Sequence, residues 1–214
     1  MTINLEILKS AYIYDLKEIQ TLNTKLLVPK MITRRRLTRA AKIVIYLANE
    51  VSFSDGKIIY GSSYGELSAT ANILDSIKGK ESISPTHFQN SVYNTAISYL
   101  SMLHNNKEEI VTISSGDKTS DTILKAAAVK ALENETILLM VTETLDIKNI
   151  HEINHCQTAL ESGVALTVRL SKENATINID NLRHPINVPN SIQTMFGIAQ
   201  ECEKNQTNII KVTL

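Results

Sequence analysis

Residues 136–141 read Thr-Ile-Leu-Leu-Met-Val, a run with only apolar side chains after its first residue. Such a run is too short for a membrane span, and a strand of this kind needs apolar cover on both faces. That requirement points to a central strand in a sheet with helices on each side. The segments around it supply the layers. Leu37, Ala41, Val44 and Ala48 recur at helical spacing, and Lys57–Tyr60 reads as a short strand. A helix is predicted over Glu66–Ile77, and Ser84-Pro85 marks a further helix start. One continuous helix is predicted over Phe88–Leu103, with Val92, Ala96, Tyr99 and Leu103 on one face. Glu109–Ser114 alternates as a strand, and Thr119–Leu132 is an apolar helix. Strands are expected at Val164–Leu170, Ala175–Ile179 and Asn208–Leu214, with a helix at Ser191–Cys202. Strands and helices alternate, so the expected class is α/β, with a mixed, mostly parallel sheet flanked by helices. The 214 residues suit a single domain over 1–214.

Charge narrows the function. Lys and Arg number 22, as do Asp and Glu, and Trp is absent. This argues against a dedicated nucleic-acid binder, which carries a basic excess and stacking aromatics. No secretory leader and no stretch of about 18 apolar residues is visible, so a cytoplasmic protein without membrane contact is expected. Cys156 and Cys202 have no CxxC partner, which fits a reducing compartment. The charge is unevenly spread. Residues 1–50 hold nine Lys/Arg against four Asp/Glu, an excess of five, centred on Arg34, Arg35, Arg36, Arg39 and Lys42. These residues are read as opening a helix, where positive charge opposes the macrodipole. They form either a solvated face or a contact for an anion or acidic partner.

Three places can hold chemistry. At Ser114-Ser115-Gly116-Asp117 a strand turns directly into a helix, a geometry that presents its elbow residue to free backbone N–H groups. Asp117 sits at the tip. A helix start lowers a carboxylate's pKa, so capping is the favoured role over general-base catalysis. His151-Glu152-Ile153-Asn154-His155 matches a zinc-hydrolase pattern, with Cys156 beside it. The following Gly163 and strand leave little helix, and the expectation is no metal and no cofactor. His87 and Ser91, four apart, have the spacing of a base and nucleophile pair.

Several segments in order resemble one family. They are residues 34–39 (Arg-Arg-Arg-Leu-Thr-Arg), 61–67 (Gly-Ser-Ser-Tyr-Gly-Glu-Leu), 84–88 (Ser-Pro-Thr-His-Phe), 91–94 (Ser-Val-Tyr-Asn), 114–117 (Ser-Ser-Gly-Asp) and 138–141 (Leu-Leu-Met-Val). The chain resembles the beta-ketoacyl-synthase-like N-terminal domain family, short relatives of the thiolase-fold condensing enzymes associated with bacterial type II fatty-acid-like and polyene pigment biosynthesis. The resemblance implies a thiolase-like half-fold. Family members often carry His where this chain has Tyr64 and Tyr93, so no proton-transfer role is carried over to either.

In the full condensing enzymes the elbow holds a nucleophilic Cys, and two His in the second half of the fold assist decarboxylation. The resemblance places Asp117 at or next to the Cys position. A carboxylate attacking a thioester would give a labile mixed anhydride, so Asp117 does not inherit the role. The chain is also read as too short for the second half. The implied function is therefore a non-catalytic, chain-length-factor-like subunit, which acts with a full-length ketosynthase and an acyl carrier protein. The implied binding set is Arg34, Arg35, Arg36, Arg39, Lys42, Tyr64, Glu66, Tyr93, Asn94 and Asp117, in a homo- or heterodimer. The alternative is a small acyl-thioester hydrolase on the same fold, using Ser91 and His87 or the Asp117 elbow.

Overall fold

A computed structural model describes residues 1–147, 160–182, 188–205 and 207–214. One six-stranded sheet organises them. Its strands are β1 (Thr2–Asp15), β2 (Lys57–Gly61), β3 (Ile110–Ile113), β4 (Ile137–Thr144), β5 (Glu161–Ser171) and β6 (Ile209–Thr213), in the order β3-β2-β4-β5-β1-β6. β2 runs parallel to β3 and β4, while β4–β5, β5–β1 and β1–β6 are antiparallel. β1 to β4 therefore point one way and β5 and β6 the other. The expectation of a mostly parallel sheet holds for strand direction. Parallel neighbours, however, are confined to the β3–β2–β4 half.

All eight residues of β4 are buried. Ile137, Leu139 and Val141 face a cluster with Ile123, Leu124 and Ala127 of α7 (Thr119–Lys130) and Met195 and Phe196 of α8 (Asn190–Cys202). Leu138 and Met140 face the opposite cluster, with Ile43, Val44 and Leu47 of α3 (Arg39–Glu50) and Ile97 and Leu100 of α6 (Thr95–His104). The double cover demanded by residues 136–141 is present. α3 lies directly on β5, where a Cβ at Gly163 would come within 2.7 Å of Ile43 and Leu47.

Three expectations need correcting. The helix expected over Phe88–Leu103 is two helices, α5 (Pro85–Asn90) and α6. Residues 91–94 turn between them, and Val92 and Leu103 are exposed although the 3.6-residue spacing runs through them. Ala175–Ile179 is not a strand. Its alternation buries Ile177 at a single bridge to Ile210, and Asn178 then caps a short 3-10 turn. Arg34–Arg36 do not open α3. They end a separate helix, α2 (Met31–Arg36), where positive charge suits the dipole. α2 stops at Leu37, and Thr38 starts α3 by accepting from the Ala41 N–H at 3.1 Å. The 14-residue β1, unread in the sequence, completes the sheet.

Candidate functional site

The three parallel neighbours end together, and the N-termini of α3, α6, α7 and α8 meet at the same end of the sheet. In α/β sheets, ligands bind outside the carboxyl ends of such strands. The centre of this end is Glu143, the penultimate residue of β4 and fully buried. Its carboxylate accepts from Ser62 Oγ (2.9 Å), the Ser63 N–H (2.6 Å), the Tyr64 N–H (3.3 Å) and Ser191 Oγ (2.7 Å). Ser62 Oγ accepts in turn from the Gly65 N–H at 2.8 Å. Burial pushes the Glu143 pKa up, and the four donors oppose that shift. The loop after β2 and the start of α8 are thus fastened to one buried acid. Ser120 Oγ adds a bond to the Ser191 carbonyl (2.6 Å), joining α7 to α8.

Glu66 lies at the far end of that loop. It is buried and accepts from Thr38 Oγ1 at 2.6 Å, so the capping residue of α3 also holds the start of α4 (Leu67–Gly79). Burial pushes the Glu66 pKa up to about 7, and the Thr38 bond opposes the rise. Tyr93 donates to the Ser63 carbonyl (3.3 Å). Asn94 is exposed and stands just before α6.

At the elbow, β3 ends at Ile113 and residues 116–118 form a 3-10 turn. Gly116 has φ +56°, which any side chain would strain, and it turns Asp117 outward. Asp117 does not cap α7. It is exposed and accepts from Asn190 Nδ2 at 3.3 Å. The turn is held instead by Thr119 Oγ1, which donates to the Gly116 carbonyl (2.7 Å) and accepts from the Ser115 N–H (3.1 Å). The elbow also fixes Gly61, because a Cβ there would run into Ile123 and Thr119.

The basic residues divide. Arg39 grips the buried Glu161 with Nε to Oε1 and Nη2 to Oε2, both 2.6 Å, and Nη1 reaches Glu18 at 2.8 Å. Glu161 Oε2 also accepts from the Ile19 N–H at 2.7 Å. Arg34 donates to the Val28 and Pro29 carbonyls. Lys42 lines an open recess with Arg39 and Glu18. Within residues 34–42, Arg35 and Arg36 are the exposed arginines.

The remaining candidates separate. Ser91 Oγ donates to the Phe88 carbonyl (2.9 Å) at the end of α5, and among the described residues no hydrogen bond joins it to His87. Cys202 is the last residue of α8, whose first residue touches Asp117. Twelve residues of helix put the thiol roughly 18 Å from the elbow. Burial pushes its pKa up to about 11. His151, Glu152, His155 and Cys156 lie outside the described residues. Among those described, no group of three His, Cys, Asp or Glu side chains is placed to hold a metal ion, and no helix is long and apolar enough to cross a membrane.

Residues 16–212 match the family described as Beta-ketoacyl synthase, N-terminal domain. The chain belongs to this family. Its fold is shared with a complex of a ketosynthase (ApeO) with its chain length factor (ApeC) from Xenorhabdus doucetiae. That match has a TM-score of 0.69 and 19% identity, and covers 92% of each chain. The ishigamide ketosynthase/chain length factor matches with TM-score 0.57 and 13% identity, over 78% of this chain and 51% of the other. A beta-ketoacyl synthase from Burkholderia phymatum STM815 matches with TM-score 0.50 and 12% identity, over 73% and 46%. This ketosynthase-family chain therefore spans about half the length of the last two. No curated protein matches its sequence.

Sequence reasoning missed Glu143, Glu161, Ser62, Thr38 and Ser191. A detectable signal existed for the first: an acid at the carboxyl end of an otherwise apolar parallel strand.

Proposed function

We propose that the chain is a non-catalytic ketosynthase-like subunit, comparable to a chain-length factor. It works beside a ketosynthase and an acyl carrier protein in fatty-acid or polyketide-type biosynthesis, with residues 1–214 acting as one domain. The observation that carries this reading is the elbow. Residues 114–119 are Ser-Ser-Gly-Asp-Lys-Thr, without a thiol at the turn where condensing enzymes hold their nucleophile. Asp117 faces outward to Asn190 and offers no stable acyl linkage, and the Cys202 thiol lies at the other end of α8.

The ketosynthase–chain length factor complex among the structural neighbours supports a heterodimer with a ketosynthase. Elbow side chains and α6 would then limit the length of the growing acyl chain by packing. The exposed Arg35 and Arg36 supply a field for an acidic carrier protein, and that attraction falls with salt.

The test is co-expression with a tagged ketosynthase and an acyl carrier protein from the same organism. The expected result is a stable complex with the ketosynthase and salt-sensitive carrier binding. Arg35→Glu with Arg36→Glu should weaken carrier binding about tenfold and leave the ketosynthase contact intact. Recovery of neither partner contradicts the proposal.

A further inference from the structure

Three glutamates are buried among the described residues, and they are furnished unequally. Glu143 accepts four hydrogen bonds, and Glu161 accepts three, two of them from the Arg39 guanidinium. Glu66 accepts one, from Thr38 Oγ1 at 2.6 Å, and among the described residues it makes no ion pair. Tyr60 of β2 and Tyr99 of α6 are the titratable groups that face it, with Glu143 acting on Tyr60 and Arg36 on Tyr99. Neither ring carries a positive charge to hold an ionised carboxylate. A buried acid with a single neutral donor keeps its place only while it keeps its proton. The position of Glu66 gives this a mechanical meaning. It opens an arm, residues 66–93, which leaves the body of the protein and returns to it where Tyr93 donates to the Ser63 carbonyl at 3.3 Å. Between these anchors α4 and α5 pack on each other and bury no residue in the core. The loop before the arm is fixed, because Ser62, Ser63 and Tyr64 are bonded to Glu143. Movement is thereby confined to the link after Gly65, which has φ +60°, and to the turn at 91–94.

We propose that Glu66 is a latch: neutral, it stays bonded to Thr38 and keeps the α4–α5 arm docked, and ionised, it moves into water and lets the arm swing out. Little else resists the opening. The arm adds nothing to the core, and its returning anchor is the exposed Tyr93 on one long hydrogen bond. Outside, the carboxylate regains water and stands beside the N-terminus of α4, whose dipole favours a negative charge. Opening uncovers Thr38, the cap of α3, at the carboxyl end of the sheet. The direction follows from linkage. Burial raises the Glu66 pKa to about 7 in the docked form, against an ordinary 4.5 in water. Docking is therefore strongest below 4.5, weakens as pH rises to 7 and levels off above it. The inference does not rest on the ketosynthase pairing proposed above.

The test is native-state hydrogen exchange of the purified full chain, read as protection factors, which already allow for the chemical effect of pH on exchange. Amides of α4 and α5 should exchange through an opening of their own, faster than those of β4. Their protection in the wild type should fall about 30-fold from about pH 5.5 to about pH 8. Glu66→Gln, which keeps the shape and cannot ionise, should hold that protection constant within about twofold. Tyr93→Phe, which loosens the other anchor, should lower arm protection at both pH values and leave the pH response intact. His87→Gln, which removes the arm's own histidine, should leave the response unchanged. Arm protection that is the same at both pH values in the wild type overturns the inference. So does a pH response that survives Glu66→Gln or vanishes in His87→Gln, or an arm that exchanges only as slowly as β4, which would make it part of the global fold.

Discussion

Ser191 Oγ donates to Glu143 Oε1 across 2.7 Å, so the first turn of α8 is bonded directly to the carboxyl end of β4. The same carboxylate holds Ser62, Ser63 and Tyr64, so it ties the loop after β2 to β4 and α8.

Replacing Glu143 with Leu keeps the volume but removes the acceptor from the buried Ser62 and Ser191 hydroxyls and from the half-buried Ser63 N–H. Each unsatisfied group costs about 1–3 kcal/mol. Urea unfolding should show a loss of about 4 kcal/mol. Glu143→Gln, which keeps an acceptor oxygen, should lose less than half of that.

Glu66 makes stability depend on pH. Its pKa is about 7 in the folded protein against an ordinary 4.5, so the native state binds the proton more tightly than the unfolded chain. Its stabilising contribution is complete below 4.5 and is lost as pH rises through 7, where a charge must be held in a buried site. Between pH 5 and pH 8 the wild type should lose about 2.5 kcal/mol more than Glu66→Gln in denaturant titrations. Glu143, shifted in the same direction, leaves a remaining slope in both proteins.

Arg39→Ala should destabilise strongly. It leaves the Glu161 carboxylate buried with the Ile19 N–H as its one remaining donor among the described residues, and breaking one side of such a pair costs about 3–5 kcal/mol. Arg39→Lys should recover only part of this, because an ammonium cannot reproduce the two parallel bonds to Oε1 and Oε2. Arg35→Ala, at an exposed position, should change the melting temperature little.

The layered architecture was legible because β4 is apolar on both faces and the helices around it are periodic. β1 escaped notice because its pattern breaks midway. Ile3, Leu5 and Ile7 alternate inward, and then the register shifts between Ile7 and Lys9. Residues 88–103 mislead in the opposite way, since helical spacing continues across a turn that only tertiary packing reveals. The elbow was readable from four residues, as was the absence of a thiol there. The pairings that build the site were not. Arg39 and Glu161 are 122 positions apart, and Ser62 and Glu143 are 81 apart. An acid at a strand end looks solvated until the fold closes over it. The basic run shows the same limit: Arg39 and Arg34 read as free charge, yet both are engaged within the chain.

The central claim of the proposed function is that the turn at residues 114–119, which carries no thiol, receives no acyl group. Intact-mass measurement after incubating the purified chain with an excess of acyl carrier protein thioester tests it directly. With Cys202 raised to about 11, only about one thiol in ten thousand is ionised at pH 7. The expected spectrum is unmodified protein under conditions that load an active ketosynthase. A stable acyl adduct, mapped by peptide sequencing to Cys202 or Cys156, would contradict the claim.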